Sequence, residues 1–229
     1  MALDQLPLRR VNRTHAQARN HYDRLSRCYD VLAGNVERRY RNVGLRMLGA
    51  EAGESILEIG FGTGEALRSL AAAVGPSGEV HGIDISQGMI EVSRAKLRHA
   101  STADRVVLRR GDAVQLPYSN CCFDALFMCF TLELFDTPEI PTVLAECRRV
   151  MRPEGRICVV AMSRRCPDHP MTRLYEWLHD RFPRRLDCRP ILARHSLEEA
   201  GLRTIELRRT SIFGLAVDVL LSRGPAGET

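Results

Sequence analysis

Glu58-Ile59-Gly60-Phe61-Gly62-Thr63-Gly64 is the stretch on which the reading of this 229-residue chain turns. Ahead of it runs Ser55-Ile56-Leu57-Glu58-Ile59, a short β-like segment stopped by glycines. Behind it, Thr63 to Ala71 restarts as an amphipathic helix that ends at Gly75-Pro76. Gly60, Gly62 and Gly64 suit such a junction, because the backbone must turn sharply and meet a ligand with no Cβ in the way. A dinucleotide loop would read G-x-G-x-x-G, and here Glu65 stands where its third glycine would be. Glu58, just before the turn, would repel a pyrophosphate but suits a cationic ammonium group.

The same grammar repeats downstream. Val80 to Ile85 reads as a second strand, followed by a helix from about Gln87 to Arg98 with Met89, Ile90, Val92 and Leu97 on its apolar side. Val106 to Arg110 makes a third strand ending at Gly111-Asp112. Phe123 to Phe130 is an almost unbroken apolar run, the mark of a central strand covered on both faces. A helix from about Ile140 to Met151 stops at Arg152-Pro153-Glu154-Gly155, and Arg156 to Met162 supplies a fifth strand. Strands alternating with helices of this length predict an α/β fold, a doubly wound and mostly parallel sheet with right-handed crossovers.

The two ends differ from this core. Residues 14–50 carry helical spacing at Tyr22, Leu25, Tyr29 and Leu32, then at Leu45, Met47 and Leu48, and predict two helices broken near Gly34. Past the fifth strand, Met171 to Phe182 reads as a capping helix and Ser196 to Ala200 as a short one. Thr204 to Arg209 and Phe213 to Leu221 read as an antiparallel hairpin at the sheet edge. The organisation is therefore an N-terminal helical extension, 1–50, and one domain, 51–229, with a lid segment at about 164–195.

Composition narrows the class. A net charge of +5 comes mostly from scattered arginines, in pairs such as Arg38-Arg39 and Arg148-Arg149 with acidic neighbours, which reads as solvated surface and predicts no nucleic-acid partner. A mildly basic surface still favours an anionic substrate or peripheral contact with a membrane face. The eight cysteines lack metal-ligand spacing, and several sit in apolar strands, so no metal is expected and a reducing cytoplasm is. The first twenty residues hold no apolar signal-type core, and no run approaches the ~18 apolar residues of a spanning helix.

Three acids each close a strand: Glu58, Asp84 and Asp112. A carboxylate at Asp84 can accept both hydroxyls of a ribose lacking a 2′-phosphate. Asp112 can accept an exocyclic adenine amine, with Ile85, Met89 and Ala113 sandwiching the ring. In this order the chain resembles the class I S-adenosylmethionine-dependent methyltransferases over about 51–163, whose acidic-x-G-x-G-x-G loop matches Glu58 to Gly64. The resemblance implies a Rossmann-like sheet, S-adenosyl-L-methionine as cofactor, and a cofactor site of Glu58, Gly60, Phe61, Gly62, Thr63, Gly64, Asp84, Ile85, Met89, Asp112, Ala113, Cys129 and Phe130. It also implies N-terminal helices folded over that site. Arg149 to Gly155 looks like the family's R-V-L-x-P-G-G turn, with Glu154 in place of its first glycine.

Within that class, Tyr22-Asp23 and Tyr29-Asp30 look like the menaquinone and ubiquinone C-methyltransferase subgroup. The chain departs from it after Tyr29-Asp30 and in Val160-Ala161-Met162-Ser163, where the subgroup's signature residues are absent. A small hydrophobic acceptor, quinol-type at a ring carbon, is the implied substrate, with a phospholipid or other amine as the alternative. Methyl transfer from a sulfonium relies on positioning and desolvation, so a dedicated base is optional. His179, beside the single tryptophan, is the candidate base, and Tyr22, Tyr29 and His179 are the candidates for the acceptor pocket. A nucleotide-dependent oxidoreductase and a silent cofactor-binding protein are the readings from other classes.

Overall fold

The computed structural model describes residues 14–25, 35–98, 103–165, 169–181 and 188–224; Tyr29 lies outside them. Seven strands form one sheet: β1 (Ser55–Ile59), β2 (Glu79–Asp84), β3 (Val106–Arg110), β4 (Phe123–Cys129), β5 (Met151–Met162), β6 (Arg203–Ile212) and β7 (Leu215–Arg223). Their order across the sheet is β3-β2-β1-β4-β5-β7-β6. The first five are parallel, and β7 runs antiparallel to both its neighbours. From β1 the chain builds outward to β3 and then returns to place β4 on the other side. That reversal opens a crevice at the C-terminal ends of β1 and β4, the position where ligands enter open α/β sheets.

Among the described residues, seven helices cover the sheet: α1 (His15–Leu25), α2 (Asn35–Leu48), α3 (Glu65–Val74), α4 (Gln87–Leu97), α5 (Ile140–Val150), α6 (Pro170–Arg181) and α7 (Ala193–Glu199). Side chains alternate across the central strands. Ile56, Phe127 and Val160 pack with α2 and α3 on one face, while Leu57, Leu126 and Val159 pack with α5 and α7 on the other. β4 and β7 are thus buried on both sides, which is why β4 reads as one continuous apolar run.

Several boundaries differ from the sequence reading, and two of them have a backbone cause. β5 begins at Met151, which pairs with Phe123, and then bulges through 152–155 before Arg156 pairs with Ala125. Glu154 takes φ 61 there, the conformation in which a glycine is cheapest. In the hairpin, the turn is Phe213-Gly214, with φ of 49 and 83, so Phe213 leaves the strand to which its bulk had suggested it belonged. Of the two hairpin strands, β7 lies inside the sheet and β6 forms its edge.

α2 lies directly on β4 and β5. It contributes Tyr40, Met47 and Leu48 to the core that contains Ile56 and Phe127. Arg156 of β5 holds its end, donating from Nε to the Leu48 carbonyl at 2.6 Å and from Nη2 to the Gly49 carbonyl at 2.8 Å while pairing with Glu54 at 2.7 Å. Close approach depends on Gly44, where a Cβ would stand 2.7 Å from Val160 Cγ2 and 3.0 Å from Phe127 Cε2. Gly44→Leu should therefore destabilise the fold by about 2 kcal/mol or more through overpacking. Denaturant unfolding measures this; an unchanged midpoint would show that α2 does not seat on the sheet as described.

Candidate functional site

The crevice at the β1–β4 switch point is a cavity of about 920 Å³, counting its open mouth. Its floor is the glycine loop. Gly60, Gly62 and Gly64 all have positive φ, at 70, 53 and 81. A side chain on Gly60 would collide with Thr131, whereas one on Gly62 would meet no protein atom within 4 Å. Gly60 is therefore glycine for packing, and Gly62 for its backbone angle and for leaving the cavity open.

The loop is held from both sides. Gly60 N–H donates to the Ile83 carbonyl at 2.8 Å, and Gly62 N–H donates to Asp84 Oδ2 at 3.0 Å. The other Asp84 oxygen accepts from Ser86 N–H at 2.9 Å, and Ser93 Oγ donates to the Gly62 carbonyl at 2.9 Å. Burial pushes the Asp84 carboxyl up to about 6, against the pull of the Ser86 and Gly62 amides. Asp84 thus fixes the loop as well as ending β2.

Ten of the residues expected at the site line this cavity: Tyr22, Gly60, Gly62, Asp84, Ile85, Met89, Asp112, Ala113, Cys129 and Phe130. Glu58, Phe61, Thr63 and Gly64 do not. Phe61 packs into the core, where a Cβ on Gly82 would come 2.7 Å from its ring, and Gly64 backs onto Ser93. Glu58 is buried at the end of β1, and among the described residues its Oε2 meets no hydrogen-bond partner. Burial pushes its carboxyl well above the usual range, opposed by Arg41. A buried, unpaired acceptor beside the loop suits a cationic donor that would pull the group back to its charged form, so the residues fit a cofactor carrying an ammonium.

His179 lies elsewhere. It lines a smaller cavity with Glu176, Arg189 and Pro190. The two spaces are neighbours, because the buried Arg189 donates from Nη2 at 2.7 Å to the carbonyl of Phe135, a residue of the main cavity.

α1 lies over the cavity, where the resemblance implies an N-terminal helix; what the sequence did not disclose is which of its residues meet the segment after β4. His15, Ala18 and Tyr22 face the cavity from α1, and Thr131, Leu134, Phe135, Asp136 and Glu139 from the other side. His15 bonds through Nδ1 to Asp112 and through Nε2 to Glu139 at 2.5 Å. At the other end of α1, Asp23 Oδ1 accepts from Ser86 Oγ at 2.6 Å and Gly88 N–H at 3.0 Å. The helix is clasped across the mouth at both ends. Tyr22-Asp23 was a visible signal for one clasp; nothing about His15 in the sequence announced partners about a hundred residues away.

The His15 clasp titrates. Its bond to Glu139, then that to Asp112, raises the imidazole above its ordinary value, with burial opposing. A raised cationic group contributes closure that is complete below the ordinary imidazole range and lost as pH rises through the raised value. Hydrogen-exchange protection factors of the α1 amides should therefore fall as pH increases in the parent chain. In His15→Ala they should be low and flat with pH. Protection independent of pH in the parent would contradict the clasp.

Residues 56–155 match the family described as a methyltransferase domain. Among curated proteins, the chain is 29% identical to the demethylmenaquinone methyltransferase of Lactobacillus johnsonii, over 75% of this chain and 67% of that one. It is 31% identical to the 2-phytyl-1,4-naphtoquinone methyltransferase of Synechococcus elongatus, over 69% and 65%. The chain thus spans about two thirds of the length of these relatives. Among solved structures, the cyclase SpnF superposes with a TM-score of 0.74 at 19% identity, covering 93% of this chain and 98% of that one. A SAM-dependent methyltransferase from Aquifex aeolicus gives 0.59 at 23%, covering 80% and 88%. Together with the glycine loop, its acids and the switch-point cavity, these matches identify residues 56–155 as a methyltransferase domain, and the chain is similar over that core to methyltransferases named for quinone-type substrates.

Proposed function

We propose that the chain transfers the methyl group of S-adenosylmethionine to a ring carbon of a reduced, quinone-type acceptor. The observation that carries this is the arrangement of one cavity. The carboxyl-bearing ends of β2 and β3 line one side of it, with Glu58 buried at the end of β1, and apolar Cys129, Phe130, Leu134 and Phe135 line the other. The cofactor, when bound, supplies an electrophilic sulfonium methyl. In this reading Asp84 accepts the ribose hydroxyls while keeping its grip on Gly62, and Glu58 answers the ammonium. Asp112 takes the adenine amine after exchanging its bond from His15. Ile85, Met89 and Ala113 pack the adenine ring.

The chain's own contribution is then to position the acceptor and keep water out. α1 closes over the mouth, and the wall after β4 sets apolar Phe130, Leu134 and Phe135 beside the acidic Asp136 and Glu139, so the acceptor ring can lie against the apolar part with water excluded. An ionised hydroxyl on the ring activates the accepting carbon, and as the C–C bond forms the C–S bond breaks to release the neutral thioether. The ring carbon's proton then passes to the ring oxygen or to solvent as aromaticity returns, so a dedicated base is optional. Tyr22 on the cavity wall and His179 in the adjoining space are the candidates for contact with the acceptor. The named activities of the two curated relatives support the acceptor class. No described helix is long and apolar enough to cross a membrane, and the described cysteines are free thiols. We place the protein in the cytoplasm, in peripheral contact with the membrane that holds such acceptors.

Asp84→Ala should weaken cofactor binding by about 1–3 kcal/mol, from lost charge-assisted hydrogen bonds. Calorimetry at neutral pH tests it, and undiminished affinity would refute the role. In the parent chain, affinity should also decline as pH falls through about 6, where Asp84 gains a proton and loses acceptor capacity, and Asp84→Asn should not show that decline. The acceptor itself is tested by incubating the protein and methyl-labelled cofactor with separate quinol and phospholipid fractions. Mass spectrometry should find the label on a ring carbon; label confined to a phospholipid amine would assign the alternative substrate.

A further inference from the structure

α6 is built inside out. Its inward side buries the polar Thr172, Glu176 and His179 at 2%, 7% and 8% exposure. Its outward side shows Met171 at 38%, Leu174 at 49% and Trp177 at 58%, spaced three apart on one stripe. An ordinary covering helix turns its apolar stripe to the core. Glu176 pairs with Arg164 at 3.1 Å, so the inverted face is held in place by a bond from the sheet side.

The hairpin tip extends the stripe. Phe213 is 78% exposed at a turn position with φ 49, where a bulky L-residue is strained and asparagine or glycine would be cheaper. The tip abuts α6: a Cβ on the adjacent Gly214 would be 3.4 Å from Met171 Cγ. Two local rules are thus broken in one place, and both breaks put a large apolar side chain into solvent.

Among the described side chains, the exposed charge on this patch is positive. The exposed polar side chains described on α6 are Arg173 and Arg181, and Arg209 stands exposed on β6 leading to the tip. The acidic side chain described on the helix, Glu176, is turned inward. Tryptophan, phenylalanine and leucine rimmed by arginine match the chemistry of a helix lying in an anionic lipid interface. A second protein copy would require this cationic rim to face itself.

We propose that the outward face of α6 and the Phe213-Gly214 tip dock onto an anionic bilayer surface, with Met171, Leu174, Trp177 and Phe213 entering the headgroup region. The geometry stands independently, but its purpose rests on the reading of a lipophilic acceptor. The buried side of the same helix faces the small cavity next to the main one, so docking would set that side of the site against the source of the acceptor.

Trp177 is the single tryptophan in the chain, so its emission reports from the patch itself. The full-length protein is mixed with vesicles of phosphatidylcholine alone or in equal parts with phosphatidylglycerol. The mixed vesicles should shift the emission to the blue, phosphatidylcholine alone should shift it less, and added salt should reverse the difference. Leu174→Ser with Phe213→Ser should lower partitioning by about tenfold or more, with cofactor binding by calorimetry confirming that the variant is folded. An emission unmoved by either vesicle would overturn the proposal. So would parent-like vesicle binding by the double variant, or a blue shift that grows with protein concentration in the absence of lipid, which would assign the face to a second copy. Methylation of a detergent-dispersed quinol separates the two readings. Turnover without vesicle binding removes the docking surface alone, and vesicle binding without turnover removes the acceptor alone.

Discussion

A single hydrogen bond organises the site: Gly62 N–H to Asp84 Oδ2, at 3.0 Å. It joins the loop after β1 to the end of β2, and through Ser86 and Ser93 it ties the first turn and the body of α4 into the same unit. A glycine in a left-handed conformation gains little from its own residue type beyond permission to be there. What makes the loop one shape is the carboxylate that accepts from it. Asp84 is buried for that purpose, and its raised pKa of about 6 records the cost. The helix clasped over the mouth uses the same turn, since Asp23 of α1 accepts from Ser86 Oγ and from Gly88 N–H.

Buried carboxyls are concentrated at the C-terminal end of the sheet. Glu58 is pushed well up by burial, and Glu133, in the segment after β4, is pushed up to about 8 by the same cause while accepting from Met162 N–H at 3.1 Å. Elsewhere the ion pairs are of the ordinary stabilising kind, such as Arg156 with Glu54 and Arg149 with Glu146. Carboxyls kept in low dielectric without full compensation are a destabilising choice for a fold, and their gathering around one crevice is the electrostatic counterpart of the glycine loop. The acidic rim is balanced in part by His15, which touches both Asp112 and Glu139. Closure of α1 and the charge of the site are therefore one equilibrium.

Much of this was legible in the chain because the signals are local. Ser55–Ile59 between a helix and a glycine turn, and the apolar run at Phe123–Cys129, follow from periodicity and from burial on both faces. Asp84 and Asp112 could be placed because strand ends are visible as breaks in hydropathy. What escaped were contacts between distant segments and residues that break local rules. His15 meets Asp112 and Glu139 by tertiary packing alone. Phe213 looked like strand because bulky aromatics favour strands, yet it occupies a turn at positive φ. Arg189 is buried at 2% exposure and donates to the Phe135 carbonyl across the boundary between two cavities, a contact between segments that no local pattern marks.

Methyl transfer at this site requires that the loop and its acids receive a sulfonium cofactor. Titration calorimetry of the full chain with S-adenosylmethionine and, separately, with NAD tests this most directly. The arrangement of Gly62, Asp84 and the buried, unpaired oxygen of Glu58 predicts saturable one-to-one binding of S-adenosylmethionine and none of NAD. Binding of NAD without binding of S-adenosylmethionine would contradict it.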